Sequence, residues 1–350
     1  MSRVSLSSIA WDVPESVYRQ DPAYSYSTLA KFQREGFNNL SSLFDRVDSP
    51  SLTYGSLVDC LITGSKDEFN ERFLVADFPE LADSRIKVIK SVYLRTMGNT
   101  PWEQIPDDVF NSAIEENQFQ MNWKAETRIK VIRECGKEYY DLLTVSDSKT
   151  LISNEVYNDA LKAVDALKTS SATQTYFADD DPFNDGIERC YQLKFKGTFD
   201  GYDVRCMSDL LYCDHINKFV CPIDLKTSSH KEWDFYKSFI DWRYFIQAQL
   251  YWYIIRQNMN KSDVFKNYKL LDYRFVVVNN QIGQPKIPLA WVFTETQSEL
   301  PFTYGRNEIP NWRDLVRTLD SYLKRTPEVP EGISQVLPNN LRSWIDSYYK

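Results

Sequence analysis

Val204–Ser228 reads VRCMSDLLYCDHINKFVCPIDLKTS. Val204–Cys213 alternates apolar and polar residues imperfectly, Asp214–Lys218 is rich in turn formers, and Phe219–Leu225 is a second apolar run. Two such runs around a short turn predict a β-hairpin. Asp209 then lies on the first strand, with Asp224 and Lys226 on the second. Side chains two apart on an extended strand leave by the same face, so Asp224 and Lys226 share one. A register that sets Asp209 opposite them gathers two carboxylates and an ammonium.

Clustered carboxylates are hard oxygen ligands suited to Mg²⁺, with Mn²⁺ able to substitute, and such sites keep positions open for water and substrate phosphate. A lysine beside them can orient an attacking water and offset charge on a phosphorane. D-x-K alone is short enough to recur by chance as a strand-end salt bridge. Three further blocks accompany it: YSYSTLAKF at Tyr24–Phe32, YGSLVDCLI at Tyr54–Ile62 and DWRYFIQAQLYWY at Asp241–Tyr253. With the SDLL and IDLKTS of the hairpin, and in this order, the chain resembles the PD-(D/E)xK nuclease superfamily, in particular its exodeoxyribonuclease VIII-like (RecE-type) branch of phages and prophages.

The resemblance implies an α/β fold: a restriction-endonuclease-like core with a mixed central β-sheet flanked by helices and a helical N-terminal elaboration. It implies a Mg²⁺-dependent deoxyribonuclease that works as an exonuclease from duplex ends, in phage-type recombination or DNA processing. By residue, it makes Asp209, Asp224 and the backbone carbonyl of Leu225 metal ligands, and it gives Lys226 the attacking water. Glu188 stands where the family places a glutamate on the strand entering the site. Two Q-x-x-x-Y matches overlap, Gln247 with Tyr251 and Gln249 with Tyr253, each pair on one helix face. The Arg243-Tyr244 spacing favours Gln247, to orient the lysine, and Tyr251, to contact the DNA backbone. The chain departs from the family twice: Ser208 replaces the proline before Asp209, and Asp59 stands where a metal-binding histidine is usual. An aspartate also ligates hard cations, so Asp59 is a candidate metal ligand. The rival readings are a structure- or single-strand-specific endonuclease on the same core and a catalytically degenerate DNA-binding or assembly module.

The 350 residues carry a formal net charge of −8, which argues against DNA binding through a broadly basic surface. RecE-type relatives enclose DNA in a ring of subunits, so a homo-oligomeric ring is expected, with Lys124, Arg128, Lys130 and Arg243 as channel candidates and a recombination protein as a further partner. The opening MSRVSLSSIAWDVPES lacks a basic segment followed by an apolar one, and no stretch has the length of a membrane span. A cytoplasmic location in a bacterial or phage-infected cell, without a membrane partner, is expected. The six cysteines form no C-x-x-C pair and read as reduced, buried side chains; none follows Cys221, so no iron–sulfur cluster is expected.

The chain reads as one nuclease domain over 1–350. Residues 1–180 form a mainly helical part that includes the first core helix at 55–63, residues 187–295 the catalytic sheet and Q-x-x-x-Y helix, and residues 300–350 C-terminal helices. Helices are predicted at Thr28–Glu35 with Ser27 as cap, Asn122–Lys137, Val156–Leu167, within Lys231–Asn258, and at Trp312–Lys324 and Leu341–Tyr349. Asp77–Asp108 reads as loops with short helices. Strands are predicted at Ile187–Phe195, Tyr273–Asn279 and Ala290–Thr294. Gly197 and Gly201 mark the first turn, and the acidic run Asp179–Asp185 reads as a solvated loop.

Overall fold

The computed structural model describes residues 4–36, 43, 50–63, 66–77, 80–146, 149–179, 186–300, 302–304 and 307–324. The expected Leu341–Tyr349 helix and all but the first residue of the Asp179–Asp185 loop lie outside them. The chain forms two compact units, each with its own core: residues 56–162, and residues 1–55 together with 163–350.

The larger unit opens with a 3-10 turn at Leu6–Ile9 and helix α1 (Glu15–Gln20). Helix α2 (Tyr26–Glu35) has Ser25 as its cap residue, two positions before the expected Ser27. The Ser25 hydroxyl pairs with those of Ser27 and Thr28 instead of a backbone amide. Helix α3 spans Pro50–Thr63. Gly55 on it packs tightly against strand residue Thr227, since a Cβ there would lie 3.1 Å from the threonine hydroxyl.

The smaller unit contains helices α4 (Lys66–Arg72), α5 (Asp83–Thr96), α6 (Asp107–Glu116) and α7 (Ala125–Val145), with a parallel strand pair β1 (Phe73–Val75) and β2 (Thr150–Ile152). Where the sequence reads as loops with short helices, α5 runs for 14 residues. Its Val88, Ile89 and Val92 form one apolar stripe, buried with Trp102, Phe110, Ile132 and Tyr140. The prolines at 79, 101 and 106 bracket this helix rather than interrupt it.

Helix α8 (Asn154–Thr169) and the short α9 (Gln174–Phe177) lead into the main sheet. Strands β3 (Ile187–Phe199), β4 (Tyr202–Asp214) and β5 (Phe219–Ser228) form an antiparallel meander. The first turn is Asp200–Gly201, both with positive φ, the two-residue geometry that matches strand twist. Gly197 lies inside β3 instead, where helix residues Ile254 and Gln257 approach closely. At the second turn Asp214 accepts the amides of Ile216 and Asn217 and the Asn217 side chain.

After β5 the chain crosses through α10 (Phe235–Asp241) and α11 (Tyr244–Lys261), then passes β6 (Lys269–Leu270), which pairs with β5, to reach β7 (Tyr273–Asn279). Strand β7 lies parallel to β5, and β8 (Leu289–Phe293) returns antiparallel to it. The order β3-β4-β5-β7-β8 makes a mixed sheet flanked by helices, the α/β fold expected. The remaining elements are α12 (Glu295–Glu299), the β9 (Phe302–Tyr304) and β10 (Asn307–Ile309) pair, and α13 (Trp312–Leu323). Helix α11 carries buried residues around most of its circumference and lies in the main core with α2, α13 and the sheet.

Candidate functional site

The imperfect alternation of β4 has a structural cause. The β3–β4 ladder runs from Phe199–Tyr202 to Ile187–Asp214 but skips Gln192, opposite Asp209. Gln192 takes φ +53, uncommon for a residue with a side chain. The core-facing positions change parity across this point: Val204 and Cys206 face the core before it, Leu211 and Cys213 after it. Asp209 sits at the switch, half-buried. Its Oδ2 accepts the Leu225 amide of β5 at 2.9 Å, one step beyond the last β4–β5 backbone pair, Leu210–Ile223. A carboxylate thus takes up a strand N–H that ordinary pairing would satisfy.

Asp224 on β5 is 1 % exposed. Its Oδ2 lies 2.6 Å from Lys226 Nζ, close enough for an ion pair but outside hydrogen-bond alignment. Its Oδ1 accepts from Nε2 of Gln247 on α11. Gln247 therefore holds the carboxylate, not the lysine it was expected to orient, and its own Oε1 has no hydrogen-bond partner among the described residues. Lys226 Nζ also stands 4.7 Å over the Tyr244 ring. Burial pulls the Lys226 ammonium toward neutrality, but Asp224, Tyr244 and Asp209 outweigh it and hold its pKa above the ordinary lysine value. In this arrangement Lys226 is a fixed positive charge.

Tyr251 is buried in the main core beside Tyr273. Burial, then Tyr18, Cys206, Asp224 and Asp209, push its phenol well above the usual range. Its ring is packed in the core, a placement that differs from the expected contact with a DNA backbone. Gln249 turns elsewhere and donates to the Gln297 and Leu300 carbonyls, while Tyr253 donates to Thr198. Of the two overlapping motifs, only Gln247–Tyr251 faces the carboxylates. The rings of Tyr244 and Tyr26 lie 6.1 Å apart, and neither residue is assigned a site role by the sequence.

Glu188 is not grouped with this pair. The register sets it opposite Cys213, four residues along β4 from Asp209, or about 13 Å at strand rise. There its carboxylate accepts from Ser5 Oγ, from the Leu6 amide at 3.0 Å, and meets His215 Nε2 at 2.9 Å. Asp59 lies half-buried on α3, in the smaller unit.

Two of the four expected channel cations are buried. Arg243 is 2 % exposed and spends its donors on Gln33 Oε1 and on the Ile240 and Asp241 carbonyls. It also occupies the left-handed cap position of α11, at φ +62. Arg128 is buried against Met121 Sδ. Lys124 and Lys130 are exposed, the latter 3.8 Å from Glu134.

Between β5 and α11 the surface carries large exposed rings. Trp233, Tyr236 and Trp242 are each about half exposed, with Lys231 5.2 Å over Trp233, Lys237 5.7 Å over Tyr236 and Arg34 5.0 Å over Trp242. Tyr26 links this surface to the site: its hydroxyl donates to the Trp242 carbonyl at 2.6 Å and its ring neighbours Tyr244. No described helix is long and apolar enough to cross a membrane.

No family model matches the sequence, and no curated protein matches it. Among solved structures, a protein from Eubacterium rectale described as "Putative exonuclease" matches over 93 % of this chain and 85 % of its own. The identity is 13 % and the TM-score 0.41, a remote likeness.

Proposed function

We propose that the chain is a metal-dependent deoxyribonuclease that hydrolyses phosphodiester bonds from duplex ends. The observation that carries this reading is Asp224, buried between the Lys226 ammonium and the Gln247 amide, with Asp209 on the adjoining strand. A sheet that only needed to be stable would gain more from an apolar residue there, because burying an ion pair costs about as much as the pair returns.

The donor set fits a hard divalent cation. Asp209 and Asp224 offer carboxylate oxygens, and Gln247, bonded to Asp224, has an Oε1 with no hydrogen-bond partner among the described residues. Asp209, Asp224 and the Leu225 carbonyl would hold Mg²⁺, which when bound lowers the pKa of a water and screens the phosphate. The chain's own contributions are distinct. Asp209 ties β4 to β5 through the Leu225 amide, and Gln247 fixes Asp224 from α11. Lys226, kept protonated, presents a positive charge to a phosphate oxygen or to the attacking water. The exposed Trp233, Tyr236 and Trp242, each with a cation over its ring, suit stacking against bases of an opened end, so affinity need not rest on overall charge.

The test is digestion of end-labelled linear duplex by the purified chain, with and without Mg²⁺, against covalently closed circles. Metal-dependent loss of label from linear DNA alone is expected. Cleavage of closed circles would select the endonuclease reading. No metal-dependent cleavage of any DNA would overturn the proposal.

A further inference from the structure

We propose that Glu188, Cys213 and His215 form a structural metal site for a zinc-class cation, at the end of β4 remote from Asp209. One ligand atom from each lies within 4.8 Å of the others. Ligands around a tetrahedral zinc stand about 3–4 Å apart, given bonds of about 2.0–2.3 Å. Small side-chain rotations close the set on an ion.

The local fold builds this convergence. Strand pairing sets Glu188 opposite Cys213, and His215 follows two residues later, at the start of the β4–β5 turn. All three side chains are withdrawn from solvent: Cys213 is fully buried, and the side chains of His215 and Glu188 are 8 % and 14 % exposed. The parity switch at Gln192 and Asp209 brings Cys213 onto the core side of β4. Cys190 lies two residues along β3 from Glu188, so its side chain leaves by the same strand face, and it is the candidate fourth ligand.

The outer contacts fit the same role. His215 Nδ1 lies 3.1 Å from the Tyr268 hydroxyl, leaving Nε2 for the ion. Glu188 is oriented by the Leu6 amide and the Ser5 hydroxyl. Partners of this kind fix imidazole and carboxylate ligands in metal sites. The contact between Glu188 and His215 involves two of the residues, and the Cys213 sulfur within reach of both adds the third donor. Sulfur, nitrogen and oxygen together suit zinc, whereas the all-oxygen Asp209–Asp224 set suits magnesium. An ion here would fasten the 3-10 turn at Leu6–Ile9 to the β3–β4–β5 meander. Binding would release the Cys213 thiol proton.

The test uses the full chain and does not depend on nuclease activity. Elemental analysis of protein equilibrated with Zn²⁺ and then desalted is expected to give one zinc per chain. Co²⁺ in its place is expected to give thiolate charge-transfer absorption. Cys213→Ser should abolish that absorption, and His215→Gln should weaken Zn²⁺ binding by about 10-fold or more. Asp209→Asn should leave both unchanged. Wild-type chain that retains no zinc and gives no cobalt–thiolate band overturns the site, and so does a band that survives in Cys213→Ser. The wild-type spectrum decides the matter even if a variant fails to fold.

Discussion

Gln247 Nε2 on helix α11 donates to Asp224 Oδ1 on strand β5, so the position of a buried carboxylate depends on how a helix is docked on the sheet. Gln247→Leu removes the donor and leaves Asp224 with Lys226 alone. If the pair holds a metal, loss of such an outer contact costs about 10- to 100-fold in metal affinity or activity. Gln247→Glu should do worse, placing a second carboxylate against a buried one. Mg²⁺ titrations of duplex digestion read both effects, and a Gln247→Leu curve that overlays wild type would remove Gln247 from the site.

Lys226 separates structural from chemical roles. Lys226→Met strands a buried anion at Asp224, a change that costs about 3–5 kcal/mol. The double variant Asp224→Asn with Lys226→Met removes both charges and should recover most of that loss in urea denaturation while remaining inactive on DNA. Recovery of cleavage together with stability would show that neither group takes part in the chemistry.

The parts of the site set by local pattern were legible in the sequence. A period-2 alternation and turn formers at Asp214–Lys218 suffice to put Asp209, Asp224 and Lys226 on paired strands. What depends on residues far apart in the chain was not. Gln247 could be placed on a helix face, but only the packing of α11 on β5 shows that it reaches Asp224. Glu188 is assigned to the site through the resemblance alone, and only the strand register, which sets it opposite Cys213, shows that it lies four residues along β4 from Asp209. The switch at Gln192 interrupts the strand alternation, and nothing in the residue type announces a positive φ there. Helix α5 was obscured by the prolines on either side of it.

Arg243, expected among the cations of a DNA channel, is buried instead. In the fold its guanidinium bonds Gln33 of α2 and closes the end of α10. Arg243→Met should destabilise the chain by about 2 kcal/mol or more, since hydrogen bonds to a charged group contribute about 1.5–3 kcal/mol each. The salt dependence of DNA binding should keep its slope, because no phosphate contact is lost. A shallower slope would return Arg243 to the DNA-contacting surface.

Asp21 and Lys196 make the acid limb of stability testable. Asp21 Oδ2 lies 2.9 Å from Lys196 Nζ, and Oδ1 accepts the Ala23 amide at 2.9 Å. Burial pushes the Asp21 carboxyl up, but the Lys196 hydrogen bond and the Ala23 amide outweigh it and hold its pKa below the ordinary aspartate value. A carboxyl depressed on folding stabilises the native state above its unfolded pKa, and that contribution is lost as pH falls through the folded value. Lys196 is raised, first by its bond to Asp21, so its share is lost only on the alkaline side. Asp21→Asn should therefore lower stability at neutral pH by about 1 kcal/mol, the usual scale for a partly buried pair. It should also flatten the fall in stability below the ordinary carboxylate range. Urea denaturation at a series of pH values measures both, and parallel acid limbs for variant and wild type would mean that Asp21 titrates alike in the folded and unfolded chain.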